Sequence, residues 1–177
     1  ERHMAKPVIA ILLAIALICA SALAQVELFF VNVGKGDAIL LKSDDYCALI
    51  DTGKKKAQDN ILRAMEKMNI DHLDAIFITH CDNDHTGGLK WLRKSEFEIG
   101  AIYASAYHPE TDEADHPARK AAEKLGVPFA YLKAGDVIPA GSATLYVLAP
   151  ISEIPGKEDN NSLVMMLDSA GQRALLC

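Results

Sequence analysis

His80, Asp82, Asp84 and His85 fall within one short loop, Thr79-His80-Cys81-Asp82-Asn83-Asp84-His85. Two imidazoles and two carboxylates at this spacing are potential ligands for zinc, manganese or iron. That many polar side chains at the end of an apolar run crowd one another unless a cation neutralises the acids. The chemistry they point to is metal-assisted hydrolysis, in which a divalent ion makes hydroxide available near neutral pH. Two plainer readings compete. Asp84 could cap the helix that follows. Asp82-Asn83-Asp84 is also like a fragment of a calcium loop, but calcium takes oxygen ligands and the two imidazoles argue against it.

The elements that must hold this loop can be read on either side of it. Leu73 to Thr79, LDAIFIT, is a short apolar run of the kind expected for a strand buried on both faces. Ligands at the carboxyl end of such a strand sit where open α/β folds place their sites. Beyond the loop, Thr86-Gly87-Gly88 should open a helix running to Lys94, with Leu89 and Leu92 turned inward. Trp91 on that helix could stack a base, although packing is the better reading. Strands are expected at Val26 to Val33, Ala38 to Leu41, Cys47 to Ile50, Ile99 to Ala104, Phe129 to Leu132, Ala143 to Leu148, Ser162 to Asp168 and Arg173 to Cys177. Helices are expected from Asp59 to Met68 and from Pro117 to Leu125, the second stopped by Gly126. The sum is one α/β domain in which strands dominate. His72 reads as a surface residue at a strand start. His108 and His116 read as exposed loop residues beside the acidic stretch between them.

Composition narrows the function. With 50% hydrophobic and 24% charged positions in 177 residues, the chain is globular rather than disordered. A net charge of −6 argues against a blanket electrostatic grip on nucleic acid but leaves room for a local basic patch. Lys54-Lys55-Lys56 could hold a phosphate, with a solvated loop as the plainer reading. The N-terminus reads as an address: a basic stretch, the apolar run Val8 to Ile18, then Ala22-Leu23-Ala24 as a cleavage site. Residues 1–24 are therefore expected to be a signal peptide and 25–177 the mature domain, secreted or extracytoplasmic, with no membrane attachment after cleavage; an uncleaved anchor is the rival. Cys47, Cys81 and Cys177 are an odd set with no evident pairing and read as buried or free thiols.

The loop is similar to a known signature. His80-x-Asp82-x-Asp84-His85 resembles the H-x-H-x-D-H motif of the metallo-β-lactamase superfamily, with Asp82 in place of the second His. That variant resembles the metallo-β-lactamase-like domain of the ComEC-like, DNA-internalising competence proteins and their stand-alone relatives. Further pieces are similar in order: FVNVGKGDA at Phe30 to Ala38 (with Lys35 where Gln is usual), LIDTG at Leu49 to Gly53, LDAIFITHCDNDHTGGL at Leu73 to Leu89, and NNSLV at Asn160 to Val164. The resemblance implies a four-layer αβ/βα sandwich with a metal site at one edge. It implies that His80 and Asp82 hold one divalent ion, zinc or manganese, and that Asp84 and His85 hold a second. Asp84 would also be the catalytic residue that orients the attacking water. Asp51 would brace the ligand loop, Asp37 would line the site, and Asn160 and Asn161 stand where the superfamily usually has a His. The implied activity is hydrolysis of a phosphodiester or DNA-type substrate. The alternatives are a lactam or lactone hydrolase, or a non-catalytic surface binding module. The substrate would be a small molecule or a nucleic acid, with no stable protein partner. The strand at Arg173 to Cys177 has no closing turn, so the domain is expected to be C-terminally incomplete, with a bridging Asp and a last His expected further on.

Overall fold

The computed structural model describes residues 26–107, 115–155 and 158–177. The expected signal peptide and His108 lie outside the described residues. Ten strands form two sheets. The first holds β1 (Val26–Phe30), β2 (Ile39–Ser43), β3 (Tyr46–Ile50), β4 (His72–Ile78), β5 (Glu98–Ser105) and β6 (Phe129–Leu132), in that spatial order. The pairs β1/β2 and β2/β3 are antiparallel, while β3 through β6 run parallel. Parallel strands need crossovers, and three helical connections supply them. These are α1 (Gln58–Lys67), the short pair α2 (Asn83–Thr86) and α3 (Leu89–Leu92), and α4 (Pro117–Leu125). The second sheet is antiparallel, ordered β10 (Gln172–Leu176), β9 (Val164–Ser169), β8 (Ala143–Ala149) and β7 (Val137–Ala140).

Two apolar cores follow from the pleat, which sends alternate side chains to opposite faces. Leu40, Leu49, Ile76 and Ile78 pack toward the helices with Ile61, Met65, Trp91 and Leu92. Leu41, Ile50 and Phe77 face the second sheet and meet Leu145, Val147, Met165 and Leu167. The central strands are thus covered on both sides, which is why β4 reads as a nearly unbroken apolar run. Trp91 is 5% exposed and belongs to the helix-side core, so it packs and presents no face to a base.

Several boundaries differ from the sequence reading. The first strand ends at Phe30 rather than Val33, and Val31 and Val33 stay buried beyond it. The helix expected from Thr86 to Lys94 is two short helices broken at Gly87-Gly88. A Cβ on Gly88 would run into the backbone oxygen of Thr52, so the break is where the chain lies against the β3 exit. The β9 strand starts at Val164 after a short 3-10 turn, Glu158–Asn161. Strand β7 was not expected at all. Among the described residues the layers are helices, first sheet and second sheet. No described helix covers the outer face of the second sheet.

Candidate metal centre

The site is built where β3 and β4 end side by side. Asp51 follows β3 in a left-handed conformation, φ 54°, which Asn and Asp tolerate better than other side-chain-bearing residues. That turn points a carboxylate, 1% exposed, across to the end of β4. Its Oδ1 accepts the Thr79 backbone N–H at 2.8 Å. Its Oδ2 accepts the Thr79 hydroxyl at 2.7 Å and lies 2.6 Å from His85 Nδ1. A buried carboxylate with three donors around it is fully used and holds the two strand ends in register.

This arrangement orients both histidines. The Thr79 hydroxyl spends its single hydrogen on Asp51, so toward His80 Nδ1, 3.0 Å away, it can only accept. His80 therefore carries a proton on Nδ1, and the same holds for His85 against Asp51. A neutral ring protonated on Nδ1 carries its lone pair on Nε2, the form in which imidazole binds metals. The rings lie against each other with centroids 3.9 Å apart. Burial works to lower the His85 pKa, but the hydrogen bond and charge of Asp51, joined by Asp37 and Asp84, leave it raised above its ordinary value.

The backbone of the loop is pinned from below. The His85 carbonyl accepts the Thr52 N–H at 2.7 Å and the Thr52 hydroxyl at 2.8 Å. From the other side Gly36, φ 98°, lies so close to the Asp84 carbonyl that any Cβ there would overlap it. Asp84 itself is 7% exposed, and its Oδ2 is 3.3 Å from Lys35 Nζ. Burial works to raise its pKa, but the local backbone hydrogen bond and Lys35 outweigh that and hold the carboxyl below its usual range. Asp82 is exposed at the N-cap of α2 and makes no capping hydrogen bond. Asp37 is exposed, and its backbone oxygen accepts the Gly53 N–H at 2.9 Å.

His80 and His85 are thus brought together, with Asp51 fixing both and Asp84 beneath the Lys35 strap. The donor set suits a divalent ion in kind, since both imidazoles are held with Nδ1 engaged. It does not close into a cage: among the described residues, no group of three or more His, Cys, Asp or Glu side chains is placed to hold one ion. Asn161 plays a different part from the His it replaces in the motif. It is wholly buried, and its side-chain amide is bound to the Ile154 backbone, accepting N–H at 2.7 Å and donating to C=O at 2.8 Å. It braces a loop. The adjoining Leu163 N–H donates to the Thr79 carbonyl at 2.9 Å and ties the second sheet to the site.

Sequence reasoning missed Thr79 as the relay between Asp51 and His80; the only available signal was a hydroxyl residue directly before the first His. It also misplaced His116, which is 1% exposed rather than a loop residue in solvent. His116 is the N-cap of α4, where Nδ1 accepts the Arg119 N–H at 3.5 Å. Its ring packs on Phe129 and Tyr131, and its Nε2 lies 3.2 Å from Cys81 Sγ. It therefore anchors the ligand loop to α4. Among the described residues Cys47, Cys81 and Cys177 form no disulfide with one another.

Comparison with known proteins agrees with this geometry. The family model described as Metallo-beta-lactamase superfamily matches residues 31–158. The chain is 24% identical over 176 residues to ComE operon protein 3 of Bacillus subtilis (strain 168), covering 89% of this chain and 22% of that protein. It is 32% identical over 104 residues to Competence protein ComA of Neisseria gonorrhoeae, covering 58% of this chain and 14% of that one. The chain thus spans less than a quarter of the length of these curated relatives. Among solved structures, a metallo-beta-lactamase from Cronobacter sakazakii, a HARLDQ motif mutant, superposes with a TM-score of 0.58 at 20% identity, covering 85% of this chain and 60% of that one. That likeness concerns the fold, whereas the matched segment runs from Val31 through the whole ligand loop, and on it the chain belongs to the metallo-β-lactamase superfamily.

Proposed function

We propose that this protein is an exported, metal-dependent hydrolase acting on phosphodiesters. The observation that supports it best is the Asp51-Thr79-His80 relay together with the Asp51–His85 bond. A buried carboxylate that sets the tautomer of two adjacent imidazoles is what a metal centre needs from its surroundings. A helix cap or solvated turn has no use for it. A divalent ion held by the loop would supply hydroxide near neutral pH and polarise the scissile phosphoryl oxygen.

The chain's own residues do the rest. His80 and His85 would bind the ion through Nε2, with His85 held by Asp51 and His80 by the Thr79 hydroxyl. In this reading Asp84 would accept a proton from attacking water and orient it. Asp82, exposed at the loop's rim, is the remaining ligand candidate. The phosphodiester preference is supported by the similarity of the motifs to competence-type proteins and by the Asp82 substitution, which makes the site harder than an all-histidine one. The same reasoning favours manganese at least as much as zinc. Export is supported by the address-like N-terminal sequence; among the described residues, no helix is long and apolar enough to cross a membrane.

The test, on the full-length protein with the expected downstream Asp and His, is turnover of bis(p-nitrophenyl) phosphate and of a chromogenic cephalosporin after metal depletion and reconstitution with manganese or zinc. Diester turnover restored by manganese, and lost in Asp84→Ala with an unchanged circular dichroism spectrum, is the expected result. Cephalosporin turnover alone would establish the lactamase reading. Stoichiometric metal uptake without turnover of either would establish a binding module.

A further inference from the structure

The first sheet ends at β1, and among the described residues no strand pairs with its outer side. Proteins commonly blunt such an edge with proline, lysine or a bulge. Val26-Glu27-Leu28-Phe29-Phe30 has none of these, and its pairing with β2 is regular from end to end. The ladder shows which backbone groups are unused. Val31 N–H donates to the Ala38 carbonyl, so Val31, Phe29 and Glu27 turn their backbone groups toward β2. Val26, Leu28 and Phe30 turn theirs outward.

The side chains along this edge are also incompletely matched. Phe30 is 67% exposed, and the pleat puts it on the same face as Val26 and Leu28, which pack toward the second sheet. A cavity of about 200 Å³ opens beside Val26 and Leu28, lined also by Leu167 and Ala174. On the helix face, Lys67 Nζ lies 5.0 Å over the Phe29 ring. Glu27 shares that face. Glu27 and Lys67 are both exposed, and neither has an ion pair among the described residues.

We infer that β1 is a docking edge for a second copy of this chain, the two β1 strands pairing antiparallel about a two-fold axis at Leu28. In that register Leu28 faces the partner's Leu28, and Val26 faces the partner's Phe30. These are hydrogen-bonded pairs, so every outward N–H and C=O of the three residues is used. The partner's Phe30 arrives beside the cavity at Val26 and Leu28. Glu27 comes opposite the partner's Phe29, over which the partner's Lys67 rests. The contact is isologous, so each match occurs twice. Exposed ring meets apolar cavity, and acid meets base. Centring the axis on Val26 or Phe30 would carry the partner past the end of the strand and leave outward groups unpaired. Two strands of this length bury less than the ~1,200 Å² of a standard interface, so the dimer is reversible, with a Kd of about 10–100 μM.

The test is sedimentation velocity of the full-length protein from about 1 to 200 μM, which brackets that Kd. Wild type should pass from monomer to dimer across the range. Phe30→Lys puts a charge on the edge and should weaken association more than about tenfold. Glu27→Lys sets like charges together at both symmetric contacts and should weaken it about tenfold at low salt. Glu27→Lys/Lys67→Glu should return it to within about threefold of wild type, a rescue that damage to the fold would not give. Phe30→Lys and Glu27→Lys change exposed residues and should melt as wild type does at the lowest concentration. Leu175→Gln, on the outer face of the second sheet, should leave the dimer unchanged. A monomer throughout, unchanged association in Phe30→Lys, or a charge swap that restores nothing would each overturn the docking edge. Loss of the dimer in Leu175→Gln alone would move the contact to the second sheet and overturn it as well.

Discussion

The two sheets share one interface but differ on their other faces. The first is covered by helices on one side and by the second sheet on the other, and it carries the site at the ends of β3 and β4. Among the described residues, the second sheet buries only its inner face. Its outer face sets Val137, Tyr146, Met166 and Leu175 opposite one another across all four strands. Of these, Val137 is 52%, Tyr146 39% and Leu175 62% exposed. The site therefore stands on the part of the molecule with packing on every side, where positions are held within tenths of an ångström. The second sheet contributes support: Leu163 ties to Thr79, and the inner face of the sheet backs Phe77.

The sharpest way to break this comparison is at the shared interface. Phe77 is fully buried between the sheets and stacks on Tyr103 with centroids 5.2 Å apart. Phe77→Ala should cost about 3–5 kcal/mol in urea unfolding, since it removes transfer energy and leaves a cavity. A cost near 1 kcal/mol would mean that the sheets are not packed as described.

The next effect is at the site. In Asp51→Asn the left-handed backbone is still tolerated, and Oδ1 can still accept the Thr79 N–H. The amide cannot, however, accept from both the Thr79 hydroxyl and His85 Nδ1. The tautomers are then no longer fixed, and metal affinity should fall about 10–100-fold by competition with a chromophoric chelator. Circular dichroism should remain that of the wild type. Unchanged affinity would show that the relay serves strand registration alone.

How far the sequence discloses each sheet follows from the same difference. Strand β4 and its ligand loop were legible because burial on both faces leaves an apolar run that ends abruptly in polar ligands. Strand β7 was not. Its sequence, Val-Ile-Pro-Ala, carries Pro139, which reads as a breaker yet is tolerated on a sheet edge, where β7 lies. Gly87-Gly88 were read as a helix opening because nothing local reveals that the Lys54-Lys55 backbone lies against Gly87 and Thr52 against Gly88. His116 was read as exposed because an N-cap tucked against Phe129 and Tyr131 is a tertiary fact. Of the site, the ligand candidates and Asp51 were visible as residue types in the motif. The Thr79 relay was not, because it depends on which strand ends meet.

A smaller effect concerns the bottom of the first sheet, away from the site. His72 opens β4, with Nδ1 2.8 Å from Asp71 and Nε2 3.4 Å from Asp74. The Asp71 hydrogen bond, opposed by burial and helped by Asp74, raises its pKa above 6.5. A raised histidine contributes stability that is fully present below its unfolded pKa and lost as pH rises through its folded one. Melting temperature should therefore fall slightly as pH climbs from 6.5 through the folded pKa of His72, and His72→Gln should remove that part of the slope. The side chain is 37% exposed, so solvent screens the pair and the effect is shallow. An identical slope in the variant would assign it to other groups.

The smallest expected effect is also the one that tests the comparison most directly. Leu175 on the edge strand β10 has the same aliphatic character as the core residues of β4, yet it points to the bare face. Leu175→Gln removes apolar surface that folding does not bury, and the new amide remains in water. Its cost in urea unfolding should lie within about 0.5 kcal/mol of zero. Leu176, its neighbour on the same strand, is 1% exposed and packs inward, so Leu176→Ala should cost about 2–5 kcal/mol. Adjacent leucines on one strand then differ several-fold only because the pleat sends them to opposite faces. If the two variants cost the same, the outer face of the second sheet is buried in solution, and the contrast between a covered and a bare sheet fails.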